Sequence, residues 1–162
     1  MRISIIILTL IAFSSICQGE DKSHPYYWFQ AHTDSIYSVI IDTSKNADTI
    51  LSRAFLSWKR RDGAIFIEIC YFIGPALVFR PAKMLKYFAK DTAEFAEFLL
   101  DLPDAMFTDY NGNEKDKLEN MRLRIISSLD KLIANKSGDR NIRNIAKKLL
   151  TRIKSITVHV VD

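Results

Sequence analysis

From Ala47 to Ile156 apolar side chains return every third or fourth position, and that recurrence leaves little room for any fold but packed helices. Ala47, Ile50, Leu51, Ala54, Phe55 and Trp58 share one helical face, closed by Lys59-Arg60-Arg61, whose charges complement the end of a helix dipole. Met84, Leu85 and Phe88 mark a short helix that follows Pro81 and ends near Lys90. Asp91 with Glu94 resembles a capping box ahead of Phe95, Phe98, Leu99 and Leu102, and Pro103 is expected to stop that helix. Asp104 to Asn113 then reads as the longest loop. Leu118, Met121, Ile125, Leu129, Leu132 and Ile133 predict a long amphipathic helix, and Ile142, Ile145, Ala146, Leu149, Ile153 and Ile156 predict another. Ser137-Gly138-Asp139 links the two as antiparallel neighbours, with Gly138 ending the first and Asp139 capping the second.

Three segments resist this period. Ala64 to Ile73 is rich in β-branched and aromatic residues and lies between the turn dipeptides Asp62-Gly63 and Gly74-Pro75, which suits a strand. Its spacing through Ile65, Ile69, Phe72, Ala76 and Phe79 suits a buried helix kinked near Pro75, the better reading because a strand here finds few partners. Ser35 to Asp42 fits a short helix or a strand equally well, and the β-branched tail Thr157 to Asp162 either pairs with an edge or frays. The expected fold is therefore all-α, one domain of about five or six packed helices. The alternative is an α+β fold with a small sheet from residues 64–80 and the tail.

Composition confirms an ordinary core: 162 residues, 48% apolar, with too few cysteines for a disulfide framework. The first residues stand apart. Arg2, the apolar run Ile3 to Phe13, and the small or polar residues up to Gly19 have the layout of a signal peptide over residues 1–19, cut near Gly19, and the run is too short to span a bilayer. An exported protein, periplasmic or extracellular, is the expectation. Cleavage removes Arg2 and Cys17, lowering 23 basic residues to 22 against 19 acids, a net charge of +3, and leaves Cys70 as a lone thiol inside an apolar run. Residues 20–32 read as an aromatic arm laid on the body, in which Tyr26, Tyr27, Trp28 and Phe29 either pack or stack on a ligand.

Catalytic signatures are missing. The chain has no G-x-S-x-G, H-E-x-x-H, phosphate-binding glycine loop or paired C-x-x-C, and His24, His32 and His159 have no ligand partner at helical spacing, so no cofactor is expected. Asp109, Asn111 and Asn113 imitate the start of a calcium loop, but Glu114 stands where the turn needs Gly and Asn120 where a bidentate Glu would close the shell. Turn chemistry with Asn113 as a helix cap explains them more simply. Glu68, the one charge between Ala64 and Ile73, is the candidate catalytic acid of an alternative reading, an envelope-polymer hydrolase or lyase that also uses Asp109 and the aromatics 26–29. Asn135-Lys136-Ser137 is a glycosylation acceptor, relevant in a eukaryotic source.

Charge distribution is the more distinctive signal. Asp91, Glu94, Glu97, Asp101, Asp104 and Asp109 follow one another with no base between them, and Arg140, Arg143, Lys147, Lys148, Arg152 and Lys154 with no acid. On the last helix Arg140, Arg143, Lys147 and Lys154 fall on one strip beside the apolar face, with Lys148 and Arg152 on its other edge. Such a strip is a solvated face, free or paired with the acidic segment, or a contact for an anionic partner. A net charge of +3 and an export signal argue against nucleic acid. The expected function is an exported, non-enzymatic binding protein with a protein partner, for instance an inhibitor or immunity-type protein that masks an envelope-acting enzyme. A cell-wall polymer is a further candidate partner, as is an anionic membrane surface bound through the last helix.

Overall fold

The computed structural model describes residues 25–63 and 65–161, which form α1 (Pro25–Ala31), α2 (Thr33–Ile41), α3 (Asp48–Lys59), α4 (Ile65–Phe79), α5 (Pro81–Lys90) and α6 (Thr92–Met106). After the strand β1 (Thr108–Asp109) come α7 (Lys115–Ala134), α8 (Arg140–Lys154) and β2 (His159–Val160). The fold is all-α. The signal peptide expected over 1–19, its cleavage point and the start of the 20–32 arm lie outside the described residues.

The ambiguous apolar run forms the central helix. α4 packs against α2, α3, α5, α6 and α7, and from Ile69 to Leu77 every residue but Tyr71 is buried. A helix surrounded on most sides shows no polar face, which is why its composition resembled a buried strand. Gly74 has a packing reason: a Cβ there would meet Met121 Sδ at 2.8 Å, so glycine lets α7 approach α4. The helix continues through Pro75 to Phe79, and α4 and α5 meet at 118° at Arg80-Pro81. Among the described residues no single helix is long and apolar enough to cross a membrane.

Four boundaries differ from expectation. The arm at 25–31 is a helix, and with α2 it raises the helix count among the described residues to eight. α6 continues through Pro103 to Met106. Proline removes the N–H that would bond the Leu99 carbonyl, and Arg152 of α8 donates its Nε to that carbonyl at 2.9 Å, so the helix loses no partner there. Gly138 does not end α7, which stops at Ala134; Asn135 follows in extended conformation and accepts from Ser137 N and Oγ. Asn113 does not cap α7, whose first flanking residue is Glu114.

Other local readings hold. Asp91 accepts from Glu94 N, and Asp139 from Asn141 N and Ile142 N, each capping its helix. The tail pairs, but not with residues 64–80: β2 lies parallel to β1 in the register Thr108 to His159 and Asp109 to Val160. One hydrophobic cluster joins residues from all eight helices, with Trp58, Phe88 and Phe98 stacked edge and face at its centre.

Candidate functional site

The acidic and basic segments touch, through Arg152 on the Leu99 carbonyl, but no carboxylate of 91–109 pairs with a base of 140–154 among the described residues. Arg61 lies over the Trp58 ring at 4.1 Å and reaches Glu94 at 3.1 Å, Asp101 at 3.1 Å and Glu97 at 4.0 Å. Lys59 pairs with Asp91 at 2.8 Å. Lys59 and Arg61, at the end of α3 and just beyond it, thus pair with Asp91, Glu94 and Asp101 at the start and middle of α6, a stronger role than complementing the α3 dipole.

On α8 the six bases divide into two kinds. Arg143 donates Nη1 to the carbonyls of Asn135, Lys136 and Gly138 at 2.5 to 3.1 Å, closing the turn after α7. Arg152 serves Leu99, and Lys154 meets Asp130 of α7 at 3.7 Å with both side chains half exposed, a pair worth about 0–1 kcal/mol. Arg140, Lys147 and Lys148 are exposed and form no ion pair or hydrogen bond among the described residues. Arg140 and Lys147 project from the side of α8 opposite its buried residues Ile142, Ile145, Ala146, Leu149 and Ile153, and Lys148 from the flank beside Ile145.

The aromatic segment divides as well. Tyr26 and Phe29 are buried, Phe29 against Phe72, whereas Tyr27 and Trp28 are half-buried. Trp28 stacks with His32 at 4.9 Å and carries the Arg53 guanidinium 4.2 Å from its centroid. Glu68 on α4 accepts a hydrogen bond from the Tyr26 hydroxyl and ties α1 to the central helix. Burial, then that bond and the Glu68 charge, push the Tyr26 phenol well above its usual range. This contact makes Glu68 an anchor for α1. Cys70 is buried, and burial pushes its thiol up, away from the nucleophilic thiolate.

Asp109 is buried and turned inward. Its carboxylate accepts from Asn111 N at 3.0 Å, Gly112 N at 2.8 Å and Glu114 N at 2.7 Å, and Gly112 supplies the positive φ that the loop needs. Desolvation alone would raise its pKa, but the backbone donors of Glu114, Asn111, Gly112 and Asn113 outweigh it and hold the carboxyl below the usual aspartate range. Asp109 organises its own loop, Asn111 and Asn113 are exposed, and no group of metal-ligating side chains gathers among the described residues.

Between α2, α4 and α7 the surface holds a groove of about 390 Å³. Pro75, Val78, Phe79 and Met121 form its floor, and Tyr37, Lys117, Asn120 and Arg124 its polar rim. Sequence reasoning missed it, because Tyr37 and Arg124 are far apart in the chain and each looks like an ordinary exposed side chain. Glu68 lies in neither this groove nor the smaller one lined by Tyr71 and Tyr110. Comparison with family models, curated proteins and solved structures found nothing that matches the chain.

Proposed function

We propose that the protein is an exported, non-enzymatic binding protein that docks an acidic protein partner through the outer edge of α8. The observation that carries this reading is the unequal fate of the charges: Asp91, Glu94 and Asp101 are met by Lys59 and Arg61, leaving Asp104 exposed and Glu97 at the 4.0 Å edge of Arg61, while Arg140, Lys147 and Lys148 all stay exposed and unpaired among the described residues. Uncompensated cations on a rigid helix steer an acidic partner and fix its orientation. The arrangement suits an inhibitor or immunity-type role for this chain, the partner being an envelope-acting enzyme that it masks.

The test uses the full chain immobilised and exposed to an envelope-protein extract. One retained protein, released as ionic strength rises to about 0.5 M and lost with the triple change Arg140→Glu, Lys147→Glu, Lys148→Glu, supports the reading. Retention unaltered by the triple change overturns it. Co-sedimentation with phosphatidylglycerol vesicles in place of protein capture also overturns it, in favour of a membrane surface.

A further inference from the structure

The groove between α2, α4 and α7 combines features that point to a small ligand. Its volume, about 390 Å³, falls at the lower end of the roughly 300–1,000 Å³ found for ligand clefts, and its floor is apolar with polar groups at the edge. None of the residues that line it is acidic. Arg124 is exposed, lies over the Phe79 ring at 5.0 Å, and has no ion pair among the described residues. The Tyr37 hydroxyl and the Asn120 amide are likewise exposed without a hydrogen bond among those residues. Lys117 differs, because its ammonium already bonds Glu114 at 2.7 Å. The rim thus offers one uncompensated cation with two neutral hydrogen-bonding groups beside it, which matches a single negative charge better than a double one.

The floor has the right character for the rest of such a molecule. Met121 is held against α4 by the space at Gly74, and its flexible thioether adapts to an apolar guest. The groove lies on the α4 side of α7, where Ser128 bonds the Val78 carbonyl, whereas Arg122 and Asp130 of the same helix reach α8. It is therefore independent of the basic edge proposed for protein docking.

We propose that this groove binds a small amphipathic carboxylate, its apolar body on Pro75, Val78, Phe79 and Met121 and its carboxylate at Arg124 and Asn120. Complementary charge selects the head, and buried apolar area supplies most of the affinity.

Dodecanoate is the probe, with dodecanol as its uncharged counterpart, titrated into the full chain while methyl and amide NMR signals are followed. Saturable binding below about 1 mM that shifts the Met121 methyl and the Val78 amide is expected, with dodecanol at least 10-fold weaker. Arg124→Gln should weaken dodecanoate about 10-fold without changing the melting temperature, since Arg124 is exposed. Val78→Trp, which fills the floor from a partly exposed position, should abolish the shifts at Met121 while dodecanoate leaves the rest of the spectrum untouched. Absence of saturable binding, shifts confined to other parts of the chain, or equal affinity for dodecanol and dodecanoate would each overturn the proposal, as would undiminished binding by both variants.

Discussion

Along the chain the acidic stretch 91–109 and the basic stretch 140–154 look like mirror images, six charges of one sign in each. Folded, they differ. Four of the six acids are used internally: Asp91 caps α6 and pairs with Lys59, Glu94 and Asp101 hold Arg61, and Asp109 organises a loop, while Glu97 and Asp104 stay at the surface. Among the bases, Arg143 and Arg152 bond carbonyls and Lys154 a carboxylate, leaving three at the surface. Charge segregation in a sequence is therefore a poor measure of the charge a partner meets. What counts is which groups the fold has already satisfied, and a guanidinium turned inward is worth more to stability than an ammonium in water.

The contrast between engaged and free cations can be broken most sharply at Arg80. It is buried and donates Nε to Ile40 O at 2.9 Å and Nη2 to Val39 O at 2.8 Å, to Lys45 O at 2.9 Å and to Asp42 O, closing the end of α2. Arg80→Ala is expected to lower stability by about 3 kcal/mol in urea denaturation, because several carbonyls lose a charged donor and a buried volume is vacated. Arg61→Ala should cost about 2 kcal/mol, as it exposes Trp58 and leaves Glu94 and Asp101 without their shared cation. If its effect does not exceed that of the free α8 bases, the distinction drawn between the two stretches fails.

Asp109 sharpens the comparison on the acidic side. Its folded pKa lies below the ordinary 3.8, so its contribution is fully present above that value and is lost as pH falls through the folded pKa. Asp109→Asn should flatten this part of the acid-unfolding profile, followed by circular dichroism between pH 4 and pH 2; an unchanged acid limb would show that the loop does not depend on the carboxylate. The smallest effect belongs to Arg140→Gln, Lys147→Gln and Lys148→Gln together, which should leave stability within about 0.5 kcal/mol while weakening partner capture. A larger loss would mean that these side chains are structural after all.

Much of the helical plan was legible because it depends on neighbours in sequence. The stripes of α3, α7 and α8 and the caps at Asp91 and Asp139 involve residues three or four positions apart, and the helix supplies their geometry directly. Legibility ended where a distant group intervened. Pro103 was a reasonable stop signal until Arg152, 49 positions on, took the carbonyl that proline had orphaned. Glu68 looked like an isolated acid in an apolar run, and its partner Tyr26 stands 42 positions earlier in the chain. The arm at 25–31 carried four aromatics in a row with no period to read, and burial of Tyr26 and Phe29 against the body makes it a helix.

The sequence by itself determined that this chain is helical, the extents of α3 and α5 and the start of α8, and that its charges are unevenly spread, because each property is set within a few residues. Tertiary structure alone decided that α4 is the central helix, that Glu94 and Asp101 of α6 are answered by Arg61 rather than by α8, that Asp109 turns inward, and that a groove forms between α2, α4 and α7. Those outcomes depend on which remote group reaches a carbonyl, a carboxylate or an apolar face first. Periodicity carries no information about that, since it records the face a helix buries and not the neighbour that covers it.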